Sequence, residues 1–138
     1  MPARFKLKMD TKKLLSAKDK AESRYLNKAG AMVRTIAIRS VSVRKSKDGK
    51  KKKVKPRAPG DPARSPKGIL KNSILFDVNL DMGEVVIGPT FSAMHALAEL
   101  HEFGGFRKGT SFPARPYMNP ALMKTIPKLP ELWANSIK

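Results

Sequence analysis

The chain has 138 residues, 29 Lys and Arg against 11 Asp and Glu, a formal net charge of +18 and no cysteine. That length suits one domain with one core, and the lack of cysteine excludes a disulfide framework and a thiolate metal site, which fits a reducing cytoplasm. The charge makes polyanions the expected neighbours: nucleic acid, acidic protein surfaces or anionic lipid.

The opening MPARFKLKMD is basic but carries no apolar run long enough for a signal peptide, and nothing later approaches the ~20 apolar residues of a membrane span. The expectation is a soluble, unexported protein without membrane contact. From Ser16 and Asp19, a weak capping-box variant, Ala21, Tyr25, Ala29, Met32, Val33 and Ile36 recur at helical spacing and predict a long amphipathic helix. Past Ile36 the text IAIRSVSVR alternates and is β-branched, so the helix frays or hands over to a strand before Val43.

KSKDGKKKKVKPRAPGDPARSP is rich in Lys, Pro and Gly, with almost nothing apolar to bury, and reads as an exposed loop or arm over residues 45–65. Ser65-Pro66 then reads as the cap and first residue of a short helix through Leu70. Ile74, Phe76, Val78 and Leu80 alternate, Asp81-Met82-Gly83 turns the chain, and Val85 and Ile87 return, predicting a hairpin.

Thr90 is placed to cap a helix from Phe91 to Phe103, with Met94, Leu97, Ala98 and His101 on one side and Gly104-Gly105 at its end. After an extended segment, Asn119-Pro120 opens a last helix with Leu122, Ile126, Leu129 and Trp133 in phase, kinked or divided by Pro127 and Pro130. This order predicts a single α+β domain over residues 1–138. A long N-terminal helix, a central antiparallel hairpin and further helices packed on it form the body, and a basic loop extends from it.

Catalytic chemistry is poorly served. His95, Glu99, His101 and Glu102 are close in sequence, but His101 lies well round the helix from His95, and no HExxH or comparable ligand set is present. Phosphate-binding glycine loops and a nucleophile elbow are also missing. No enzymatic activity, metal or cofactor is expected.

Two other groups stand out. Arg44, Lys45, Lys47, Lys50, Lys51, Lys52, Lys53, Lys55 and Arg57 form either a solvated, self-repelling loop or an arm contacting phosphates without sequence preference, and the charge favours the arm. No aromatic interrupts the run, so it has no stacking platform for single strands. Glu102 and Arg115 are either a surface pair or a partly buried bridge fixing FPARPYM to the preceding helix, and the rigid surroundings favour the bridge. Phe103, Gly104, Gly105, Phe112, Pro113, Pro116, Tyr117 and Pro120 frame that segment.

In order, PGDPARSPKGILKNSI (Pro59 to Ile74), VVIGP (Val85 to Pro89) and LHEFGG followed by FPARPYMNPAL resemble the neck or tail-completion proteins of long-tailed double-stranded DNA phages. These are the small minor-tail proteins of the lambdoid gene-product-ten-like family and the related virion morphogenesis proteins. The resemblance runs from about Ala17 to the C-terminus. Gly68, Leu70, Ser73 and Ile74 match the family's T-G-x-L-x-x-S-I, whereas its Thr has no counterpart.

The resemblance implies a small α+β fold and a structural, non-catalytic part of the virion, assembled in the host cytoplasm. It further implies a homo-oligomeric ring, a hexamer, between the head connector or stopper and the tail tube or tail terminator. Genomic DNA would pass through the lumen, and the proline-framed segment would be an assembly joint. Two alternatives stay open: a tail terminator capping the tube, and, in another class, a small basic protein binding nucleic acid without sequence preference.

Overall fold

Asp10 opens the longest element: its Oδ1 accepts from the Lys13 backbone N–H at 3.1 Å and caps helix α1, Thr11–Ser40. The helix thus starts before the expected Ser16. It describes a rod about 45 Å long, and only its later part carries the core, burying Ala21, Leu26, Ala29, Gly30, Val33 and Ala37. Of the two expected endings, fraying past Ile36 does not occur, and the chain instead passes into extended backbone at Val41, before Val43. Past Ile36, Ala37 is fully buried and the Ser40 hydroxyl donates to the Ala37 carbonyl at 2.7 Å. Packing outweighs the weak helix propensity of the β-branched residues.

This computed structural model describes residues 10–41, 58–65, 68–90 and 95–135. The nine basic residues from Arg44 to Arg57 lie outside the described residues. The end of the expected loop does not remain exposed: Ala63 is fully buried, Ser65 is buried, and Gly60 N–H donates to the Ala114 carbonyl at 2.9 Å. Small side chains let this stretch enter the core.

Helix α2, Ile69–Ser73, starts later than Ser65-Pro66 suggested, because Gly68, left-handed at φ 73°, is its N-cap. Ser65 still serves it from a distance, its hydroxyl accepting from Leu70 N–H at 3.1 Å and its carbonyl from Gly68 N–H at 2.9 Å. Strands β1, Ile74–Asn79, and β2, Glu84–Pro89, follow as the expected antiparallel hairpin, in register from Ile74 opposite Pro89 to Asn79 opposite Glu84. The Asn79 side chain accepts from the Asp81 and Met82 amides, and Gly83 supplies φ 64°. Leu80, expected to continue the alternation, lies in the turn and is exposed.

Helix and hairpin meet at Gly30. A Cβ there would lie 2.6 Å from Phe76 Cδ2 and 2.9 Å from Val85 Cγ2. Close by in sequence, Arg34 Nε donates to the Ile74 carbonyl at 2.7 Å, tying α1 to the start of β1.

Among the described residues that follow are helix α3, His95–Phe103, a small hairpin of β3, Gly105–Arg107, and β4, Thr110–Phe112, and helix α4, Met118–Thr125, while the expected helix start from Phe91 to Met94 lies outside the described residues. Ile126–Lys128 forms a 3-10 turn and Leu129–Ala134 helix α5, so Pro127 and Pro130 divide the last stretch as expected. Its phase differs, however. Ala121 and Thr125 face inward, while Leu122, Ile126 and Trp133 are 44%, 46% and 40% exposed. Small residues allow α4 close against α1, and the larger apolar stripe turns outward.

The core gathers Val33, Ala37 and Val41 of α1 and its end, Ala63, Leu70, Ile74, Ala98, Tyr117 and Ala121. This is an α+β fold: one long helix and a two-stranded antiparallel sheet, with further helices packed around them.

Candidate assembly edge

The stretch from Leu100 to Leu122 closes on itself. Helix α3 ends when Gly104 turns left-handed, at φ 73°, and donates to the Leu100 carbonyl at 2.9 Å. A Cβ on Gly104 would sit 3.0 Å from both Ala114 N and Phe112 O, so the returning chain crosses directly over it. Gly105, at φ 145°, takes another conformation that side chains disfavour. The double glycine thus ends the helix and makes room for the segment that comes back.

Between these passes stands the β3–β4 hairpin, in a stretch expected only as an extended segment. Lys108 and Gly109 have φ of 49° and 74°, the two positive values of a type I′ turn. Phe112 leads into Pro113–Pro116, and Arg115 N–H donates to the His101 carbonyl at 2.6 Å. Prolines at 113 and 116 cannot donate, so the segment is fastened at few points.

Its main anchor is Glu102. The carboxylate accepts from Tyr117 N–H at 2.9 Å and Met118 N–H at 3.0 Å through Oε2, and from Asn119 N–H at 2.8 Å through Oε1. These residues are the N-cap and first two positions of α4, and the next is Pro120, which has no N–H. A helix start leaves four amide positions without internal partners. Here one side chain from another helix accepts all three available donors, its negative charge set against the positive end of α4.

The expected bridge from Glu102 to Arg115 is replaced by this cap. Both Glu102 oxygens are engaged by these amides. Arg115 acts near His101 instead: burial, and then the Arg115 charge, lower the His101 pKa below its usual 6.5. Burial, and then the Glu102 charge, push the Tyr117 phenol up to about 12.

Most of the expected assembly residues therefore come together. Glu102, Gly104, Gly105, Phe112, Pro113, Arg115, Pro116, Tyr117 and Pro120 build one folded edge, and Leu70 of α2 joins Tyr117 in the core. Gly68 serves α2 rather than the edge. Phe103, expected to frame the segment, is 76% exposed, and Phe106 on β3 is 77% exposed. Phe103 also borders a hollow of about 350 Å³ with Ile87, Pro89, Glu99, Tyr117 and Met118. The small hairpin was the missed element, and Lys108-Gly109 was its available signal.

Among the described residues, no three His, Asp or Glu side chains stand together as a metal ion would need, and no helix is long and apolar enough to cross a membrane. Comparison with models of protein families, with curated proteins and with solved structures finds no match to the chain.

Proposed function

We propose that this protein is a ring-forming structural subunit of the neck or tail of a long-tailed double-stranded DNA phage, where it completes the tail or joins it to the head connector. The carrying observation is the preassembled edge, in which Glu102 fixes the proline-framed segment to α4 through three amides while Phe103 and Phe106 stay exposed beside it. A ring contact forms more readily when its surface is ordered in advance, because ordering at docking opposes association. Exposed aromatics next to a stiff edge supply apolar area for a neighbouring copy. The resemblance of LHEFGG and FPARPYMNPAL to tail-completion proteins supplies the biological setting. In this reading the ring is a closed homo-oligomer, a hexamer, located in the virion after assembly in the host cytoplasm. No residue acts as a catalyst, and the basic arm meets genomic DNA in the lumen through phosphate alone.

The test is to image particles made after interruption of the gene. Filled heads separated from tails are the expected product. Complete, joined particles would contradict the proposal, and joined particles with tails of irregular length would assign the chain to the tail terminator.

A further inference from the structure

A second surface lies at the other end of α1. From Thr11 to Lys20 every residue is exposed, so these turns project beyond the part of α1 that buries the core. Along them and α5 runs a groove of about 680 Å³. Leu14, Ala21 and Trp133 supply apolar lining; Leu14 is 56% exposed and Trp133, packed edge-on against Tyr25 at 5.0 Å, is 40% exposed. Lys13, Lys18, Lys20 and Arg24 also line it, and no Asp or Glu does.

This combination discriminates between occupants. Duplex phosphates would satisfy the cations but leave the leucine and indole against water, with no gain from apolar burial. Among the described residues no helix of a second copy carries more than two acidic side chains, too few to answer Lys13, Lys20 and Arg24 together. A partner segment with an apolar stripe and acidic flanks satisfies both parts of the lining. From Lys13 to Arg24 the groove follows α1 for roughly 17 Å, about three helical turns. We infer that the groove docks an acidic amphipathic helix of a different protein, its apolar stripe on Leu14 and Trp133 and its carboxylates toward Lys13, Lys20 and Arg24. The inference stands on the groove alone and does not require the ring.

Trp133 is the sole tryptophan in the chain, so its emission reports occupancy directly. The probe is a synthetic peptide of about 18 residues with leucines at helical spacing on one face, glutamates elsewhere and no tryptophan. The control has the same composition with the leucines scattered round the helix. Expected is a saturable blue shift with the patterned peptide, weakened by added salt. Leu14→Glu, remote from the first buried position Ala21, is expected to reduce affinity about tenfold or more. Lys20→Glu combined with Arg24→Glu is expected to weaken binding and abolish its salt dependence, whereas Met82→Glu on the β1–β2 turn leaves it unchanged.

Equal shifts from the two peptides, or none from either, would overturn the inference. It would also fail if duplex or single-stranded DNA produced the shift and Leu14→Glu removed it, which would give the groove to nucleic acid. The same shift on raising protein concentration alone would give it to a second copy.

Discussion

At Glu102, two carboxylate oxygens accept three backbone amides from a helix to which the residue does not belong. Glu102→Ala leaves those donors without their acceptor and is expected to cost about 2–3 kcal/mol, read as a lower urea midpoint with an unchanged slope. Glu102→Gln keeps one oxygen but loses the charge facing the helix end, so it is expected to recover only part of the loss. An Ala variant melting like the parent would show that the cap does not hold the segment. The two titrating neighbours add opposite pH effects. Tyr117 has its pKa raised from 10.0 to about 12, so its contribution is full below pH 10 and is lost as pH rises toward 12. Alkaline destabilisation is expected to be shallower in Tyr117→Phe, measured by melting above pH 10. His101 has its pKa lowered from 6.5, so the folded state disfavours its proton and stability falls as pH drops below 6.5. In Arg115→Met the His101 titration, followed by NMR, is expected to move up but not fully to 6.5, because burial is the larger cause. An unchanged titration would place the guanidinium elsewhere.

Elements meet most tightly where α1 lies on the β1–β2 hairpin. Gly30→Ala adds about 1 kcal/mol of helix propensity but sets a methyl 2.6 Å from the Phe76 ring. The expected net result is destabilisation by about 1–3 kcal/mol, with partial rescue by Phe76→Leu in a double-mutant cycle. A more stable Gly30→Ala variant would mean that the helix sits further from the sheet. That contact was invisible to a reading based on periodicity, although both partners were legible: α1 from its apolar spacing, and the hairpin from alternation around Asp81-Met82-Gly83. Element ends were less legible because caps act across sequence, as Ser65 does for Leu70 and Glu102 does for α4. Charged residues advertise charged partners, whereas backbone amides leave no mark in the text. The inward face of α4 was misread since Ala121 and Thr125 do not register as an apolar stripe. The β3–β4 strands were missed because three residues are too few to show a period of two.

For the whole molecule, the +18 charge acts in two directions. It attracts phosphate, and it opposes the approach of identical copies. Added salt is therefore expected to weaken any DNA binding but to favour ring closure, and these opposite responses would separate a virion ring from a simple nucleic-acid binder. Replacing Lys50 to Lys53 by Ser removes four charges and is expected to flatten the slope of log affinity against log salt by roughly three to four units if all four meet phosphate. An unchanged slope would leave the arm to an acidic protein neighbour. The most direct measurement of the central claim is negative-stain microscopy of the purified protein across a salt series. Closed rings of uniform diameter are expected, more abundant at higher salt, and reduced to single subunits by the combined changes Phe103→Ser and Phe106→Ser at the exposed edge. Single subunits of the parent protein at every salt concentration would contradict the account.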